Sequence, residues 1–207
     1  MKKVFLLLIV LVSAAGASAQ VEFKSGLILN TAHTSIYHCS VISPNWAEQF
    51  SVKHNYGLGY KFRLTPTGKR FFTDIDVLAG YKQLSYFYIP DFWLNYSDGS
   101  VMIPSATFQT KTNYFQFSVN PTFNCKVYDG WYVGAGVEPS IYLVQDPENS
   151  KKNFTKFDMP ITGRIGYDFK YLDVAVSYKY GLFNVFDPER FTSGKFKGLQ
   201  LSVFVPF

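Results

Sequence analysis

The sequence predicts an all-β fold: an eight-stranded antiparallel up-and-down transmembrane β-barrel with short turns at one end and long loops at the other. Three observations predict it. Apolar and polar residues alternate with period two through most of the chain, the connections alternate strictly between short and long, and the first residues have the form of a secretory signal.

The chain opens "MKKVFLLLIVLVSAAGASAQ". Lys2 and Lys3 precede an apolar run, and Ala17-Ser18-Ala19 is an A-x-A cleavage pattern. Residues 1–19 are therefore expected to be a signal peptide. The apolar run is too short to cross about 30 Å of hydrocarbon. Residues 20–207 then form one domain. Without the two lysines the formal charge falls from +5 to +3, too mild to point to any partner such as nucleic acid. Aromatic content is 19% while mean hydropathy is +0.00, and no later apolar run is long enough for a membrane helix. Such a composition suits strands.

The first strand runs near Val21 to Thr31, where Phe23, Leu27 and Leu29 oppose Glu22, Lys24, Gly26 and Asn30, and Ile28 breaks the pattern. The second, "YGLGYKFRL", sets Tyr56, Leu58, Tyr60, Phe62 and Leu64 against Lys61 and Arg63. The third sets Ile75, Val77, Ala79 and Tyr81 against Asp74, Asp76, Gly80 and Lys82. The fourth, "NYFQFSVNPTFN", sets Phe115, Phe117, Val119 and Phe123 against Gln116, Ser118, Asn120, Thr122 and Asn124. The fifth, "WYVGAGVEPSIYL", the sixth, "KFDMPITGRIGYDF", and the seventh, "YLDVAVSYKYGL", continue the alternation. The eighth, "GLQLSVFVPF", places Leu199, Leu201, Val203, Val205 and Phe207 on one face. It must pair with the first strand to close the barrel. Phe207, Val205 and Val203 also match the pattern by which the barrel assembly machinery recognises its substrates.

Tight turns at "TPTGKR", "YDG" and Lys170-Tyr171 alternate with long connections near residues 32–55, 85–110, 145–156 and 184–195. Outer-membrane barrels have such short periplasmic turns and longer extracellular loops. The polar face carries Lys24, Lys61, Arg63, Lys82, Arg164 and Lys179 against Glu22, Asp74, Asp76, Glu138 and Asp173, whereas the middle of the apolar face lacks charge. This favours lipid on the apolar face and a paired ionic network inside. The alternative is a secreted soluble ligand-binding barrel, with the faces reversed. Tyr56, Phe71, Phe72, Tyr81, Trp131, Tyr142, Tyr167 and Phe169 are candidates for the interfacial aromatic girdles. Cys39 falls in the first outer loop and Cys125 near the opposite end of the fourth strand, so both are expected as free thiols.

The signal, the eight alternating strands, "TNYFQFSVNPTF", "GWYVGAGVEPSIYL", "GRIGYDFKYLDVAVSYKYGL" and the terminal aromatic together resemble the outer-membrane β-barrel family common in Bacteroidetes, which includes PorT-like proteins. The resemblance spans essentially the whole of residues 20–207. It implies the outer membrane as location and its lipid as surroundings. One branch of that family serves a secretion and gliding apparatus, but fold alone does not assign a role.

Candidate chemistry is sparse. "AHTSIYH" supplies His33, Ser35 and His38, with Glu48 beyond, where a rim hydrolase would need a base, a nucleophile and a carboxylate. This motivates an alternative, an outer-membrane lipid-modifying enzyme of the lipid A deacylase or acyltransferase kind, but polar loop residues are the plainer reading. No catalytic residues are assigned, and no cofactor or metal site is expected, since the three histidines lack diagnostic spacing. About eight strands leave an interior that side chains just fill, so a conducting pore is not expected. One segment is unusual. "SYFYIPDFWLNYSDGSVMIPS" places Phe87, Tyr88, Phe92, Trp93 and Tyr96 in an outer loop. It is either a hairpin extending the barrel or a contact surface for an envelope protein or surface ligand. The expected role is accordingly non-enzymatic: structural, adhesive or assembly-related.

Overall fold

The computed structural model describes residues 21–41, 49–88, 91–96, 99–104, 108–145, 154–169, 171–185 and 191–207, with side chains for all of these except 38–41, 49–51, 53–54, 86–88, 91–96, 99–104, 108–110, 154–155 and 191–193. Twelve strands lie among them: β1 (Val21–Val41), β2 (Gln49–Pro66), β3 (Phe71–Tyr88), β4 (Asp91–Tyr96), β5 (Gly99–Pro104), β6 (Phe108–Tyr128), β7 (Trp131–Val137), β8 (Ser140–Gln145), β9 (Phe154–Asp158), β10 (Ile161–Asp168), β11 (Asp173–Tyr180) and β12 (Phe191–Pro206). All pairings are antiparallel. The large sheet runs β3-β2-β1-β12-β11-β10-β7-β6-β8-β9, and the β3–β6 pairing closes it into a ring. β7 and β8 succeed one another along one staff of the ring, as do β9 and β10 along the next, so the ring has eight staves. The remaining pair, β4 and β5, forms a separate hairpin.

The predicted fifth and sixth strands are each interrupted, and the cause is proline. Pro139 and Pro160 have no N–H to give the ladder, so each marks a break. Their carbonyls stay paired: Val119 N–H donates to Pro139 O at 3.2 Å and Glu138 N–H to Pro160 O at 2.8 Å.

At the turn end, Lys69 N–H donates to Pro66 O at 3.1 Å, with Gly68 at φ 70°. The next turn joins Tyr128 to Trp131 and needs φ 81° at Gly130. Both glycines adopt a backbone conformation that L side chains rarely take. At the other end the strands run further than the alternation foretold. β1 continues to Val41 and β3 to Tyr88, so Cys39 lies on a strand and not in a loop. Cys125, in β6, is a free thiol, while the Cys39 side chain lies outside the described residues.

The seam between β1 and β12 pairs Gly26 with Pro206, Leu29 with Val203 and Thr31 with Leu201. Phe207 N–H donates to Ser25 O at 3.0 Å, and its ring lies 6.0 Å from that of Tyr60. The strand predicted to close the barrel does close it.

Leu27, Leu58, Val77, Phe117, Ile141, Ile165, Val176 and Leu201 are exposed, whereas Lys61, Arg63, Asp74, Asp76, Glu138 and Arg164 are buried. The apolar face therefore points outward, which overturns the soluble-barrel alternative. From Phe71 to Tyr81 the outward residues of β3 cover ten steps. That is about 33 Å of strand and about 25 Å of height at the usual tilt, the thickness of an outer-membrane apolar band.

Candidate functional site

The interior is built in layers from the turn end outward. Arg63 is the hub of the lowest layer. It comes from β2, one register step from the turn, and its Nε and Nη2 hold the two oxygens of Asp74 at 2.7 and 2.9 Å. Nη2 also reaches Asp173 at 2.9 Å and Nη1 reaches Asp168 at 3.4 Å. Tyr132 Oη donates to the other Asp173 oxygen at 2.7 Å. The guanidinium carbon lies 4.4 Å from the Phe72 ring centroid and 5.4 Å from that of Tyr132. Gly166 makes this layer possible, because a Cβ there would overlap the Tyr132 ring.

One rung up, Arg164 of β10 holds Asp76 at 2.5 Å and Asp74 at 3.4 Å. Lys61 lies 3.3 Å from Asp74 and 3.7 Å from Asp76. Two adjacent aspartates two residues apart on β3 are thus shared by three cations from two other strands. With these side chains fully buried, removing either partner strands the other without compensation.

The middle layer contains Lys179, paired with Glu138, and Gln116, which donates to Glu138 at 2.8 Å and Ser140 at 3.0 Å. Lys82 donates to Tyr142 Oη at 3.2 Å and faces the rings of Tyr142 and Phe196 at 4.9 and 5.0 Å. A cavity of about 40 Å³ remains here, lined by Lys82, Gln116, Glu138 and Lys179 among others, with room for a few water molecules. Asp158, fully buried, accepts the N–H groups of Met159, Leu182 and Phe183 at 2.8, 3.0 and 2.9 Å. It thereby ties the β9–β10 break to the chain leaving β11.

The outermost layer is apolar: Leu84, Tyr114, Tyr142, Val144, Val185 and Phe196 are buried together, with Ile36 and Val52 against them. Toward the loop end the lumen thus changes from ionic to apolar, with a hydrophobic core inside the barrel. Ion pairs below and this cluster above fill the lumen, so the arrangement is a plug.

The structure corrects several expectations. Phe72 and Tyr142 are not girdle residues: both are at most 1% exposed and face the lumen, because they share the parity of Asp74 and Gln116 on the inward face. Tyr56, Phe71, Trp131 and Phe169 do lie exposed on the outer surface. Glu22 and Lys24 do not join the inner network. They lie at the open turn-end rim, pair with one another at 3.4 Å, and remain 60% and 43% exposed. Sequence reasoning also missed the apolar cluster, although its signal was present. Tyr114, Tyr142, Val144 and Phe196 are apolar residues on the otherwise polar parity, as is Ile28 lower down.

His33 and Ser35 both fall on the outward face of β1, where Ser35 donates its hydroxyl to Lys197 O at 3.4 Å. His33 is not among that hydroxyl's described partners. The side chain of His38 and all of Glu48 lie outside the described residues. Of the aromatic loop, the backbone is described in part. Phe87 pairs with Gln109 and Tyr88 with Phe108 at the end of β3, while Phe92, Trp93 and Tyr96 lie in β4 opposite Ile103, Met102 and Gly99 of β5. Their side chains lie outside the described residues.

A closed ring of eight staves, apolar outside and ionic within, defines a membrane-spanning β-barrel. Residues 13–187 match the family model described as "Outer membrane protein beta-barrel domain", and the chain belongs to that family. It is an outer-membrane protein. No individually curated protein matches it. Among solved structures it is similar to Ail, the attachment invasion locus protein of Yersinia pestis, in complex with the heparin analogue sucrose octasulfate, at 11% identity and TM-score 0.45 over 90% of this chain and 99% of that one. It is also similar to the outer membrane protein OprG from Pseudomonas aeruginosa, at 10% identity and TM-score 0.45 over 91% and 93%.

Proposed function

We propose that this protein is a non-enzymatic outer-membrane component that acts through its extracellular surface, in an adhesive, structural or assembly role. The observation that carries the reading is the filled lumen. Arg63, Arg164 and Lys61 bridge Asp74, Asp76 and Asp173 across the lower barrel, and the Leu84–Tyr114–Phe196 cluster closes the upper. A barrel that is a rigid, plugged scaffold leaves its loops to do the work. The β4–β5 hairpin is the prominent feature there, and Phe87, Tyr88, Phe92, Trp93 and Tyr96 are the proposed partner-binding residues. The occupant is an envelope protein or a surface ligand.

The resemblance of the strand motifs supports placing the chain among the outer-membrane barrels common in Bacteroidetes, a group that includes PorT-like proteins. On the same reading residues 1–19 are a cleaved signal peptide, residues 20–207 the barrel domain, and Phe207, Val205 and Val203 the contact for the assembly machinery.

The test is photo-cross-linking from position 95, on the same strand of the hairpin, in native outer membranes, with identification of the adduct. A discrete adduct is expected with the parent chain and its loss with F92S/W93S, while both proteins keep heat-modifiable migration. An adduct pattern unchanged by the double substitution would remove the hairpin from the function.

A further inference from the structure

Between β1 and β2 the backbone ladder stops before the strands do. Its last rung is Thr31 with Tyr56. Tyr56 pairs on its other side with Tyr81, so the rung lies at the top of the apolar band. Beyond it, residues 32–41 of β1 pair with β12 and residues 49–55 of β2 pair with β3. Among the described residues no backbone pairing joins these two runs to each other. The β3–β6 ladder, by contrast, stays paired from Phe71 to Tyr88. Side chains take over at the seam. Thr31 donates its hydroxyl to Asn55 O at 3.3 Å, and Asn55 Nδ2 donates to Thr34 Oγ1. The wall is latched here by two side chains.

The cavity of the middle layer lies directly behind the latch. Asn30, Ala32 and Thr34 of β1 and Asn55 of β2 line it, with Lys82 and Glu138 deeper in. Lys82 pairs with Asn55 in the β2–β3 ladder, so it stands one strand spacing, about 4.8 Å, from the seam. The ionic layers shut the cavity from the turn end and the Leu84–Tyr114–Phe196 cluster shuts it from the loop end. The seam is the approach that remains. The charged side chains facing the cavity are Lys82, Lys179 and Glu138, one positive charge in excess. Lys197 also adjoins it, from the outward parity of β12, with its ammonium 5.6 Å from the Tyr37 ring. Glu138 is taken by Lys179 and Gln116, and Asp158 is taken by the N–H groups of Met159, Leu182 and Phe183. Lys82 forms no ion pair among the described residues. It gives one hydrogen bond to Tyr142 Oη, and an ammonium has two more to give.

We propose that this cavity takes the carboxylate of a long-chain fatty acid, which enters through the β1–β2 seam, sets its head against Lys82 and leaves its acyl chain in the outer leaflet. The seam opens at the height where lipid headgroups meet hydrocarbon, so an amphiphile reaches it from the bilayer, whereas a soluble anion meets a closed end from either side. A carboxylate matches the single excess charge and the room for a few water molecules; a phosphate is larger and carries more charge. The proposal is independent of the hairpin and its partner.

The test is native mass spectrometry of the folded full-length protein in neutral detergent, offered palmitate, hexadecanol or hexadecyl phosphate. One palmitate per barrel is expected, with at least tenfold lower occupancy by the other two. K82M removes the charge and keeps the methylene stem, and A32W fills the cavity beside the seam. Each is expected to lower palmitate occupancy at least tenfold, whereas K126M at the turn end leaves it unchanged. A palmitate analogue with a diazirine on its chain is expected to label β1 and β2 beside the seam. Heat-modifiable migration establishes folding, and K82Q and A32F carry the same expectations should the first variants fail to fold. The proposal is overturned by retention of no palmitate, by equal retention of hexadecanol or hexadecyl phosphate, by undiminished palmitate on the folded variants, or by label spread evenly round the barrel.

Discussion

Arg63 shows how one residue can carry a layer of a barrel. It is 2% exposed and donates to carboxylates from three different strands or turns. Arg63→Ala leaves Asp74 and Asp173 buried with too little positive charge, and an uncompensated buried charge costs about 3–5 kcal/mol. The folded band should convert to the unfolded one at clearly lower urea than in the parent, whereas Lys126→Ala, exposed at the rim, should stay within about 0.5 kcal/mol. Gly166 is the complementary case, a residue needed for what it lacks. Its side chain would overlap the Tyr132 ring, so Gly166→Val should displace the ring and break the 2.7 Å bond from Tyr132 to Asp173. Urea titration should report a loss of about 1–3 kcal/mol. Full parental stability in this variant would mean that the layer tolerates rearrangement.

At the scale of the element, the two faces of a strand obey opposite rules. Val176 lies outward in β11, between Asp173, Ala175 and Ser177, which are all buried. Val176→Arg places a charge against hydrocarbon and should cost about 2–4 kcal/mol near the bilayer midplane, measured as reduced folding yield into vesicles. β12 has a second duty. Its outward residues Leu201, Val203 and Val205 meet β1 at the closing seam, and Phe207 packs beside Tyr60. Phe207→Ala should lower outer-membrane levels in cells far more than it lowers urea stability of refolded protein. Equal losses in both measurements would assign Phe207 to packing and not to recognition. Proline acts at this scale too. Pro139 and Pro160 sit on neighbouring staves and break both, yet their carbonyls keep the wall bonded.

At the scale of the whole molecule, the barrel is two environments stacked on one set of strands. Within the lipid band the inside is ionic and the outside apolar. Beyond it, Leu84, Tyr114, Val144 and Phe196 turn the inside apolar. A lumen filled in this way should pass no steady current in a planar bilayer. A steady, sized conductance from the parent protein would contradict the plug.

Much of this was legible in the sequence because a strand exposes its two faces alternately and each face met one solvent. The eight staves and the closing role of residues 199–207 follow from period-two alternation, the short and long connections from the spacing between strands, and the inward direction of Lys61, Arg63, Asp74 and Arg164 from the charge that only one face carries. Alternation reports parity but not height along the barrel or partner across it. Phe72 and Tyr142 thus read as girdle residues until the register turned them inward, and Glu22 and Lys24 read as network members until the rim left them in water. Which carboxylate each arginine meets was likewise decided by tertiary structure. Asp74 and Arg164 are 90 residues apart in the chain, and only closure of the ring sets them 3.4 Å apart.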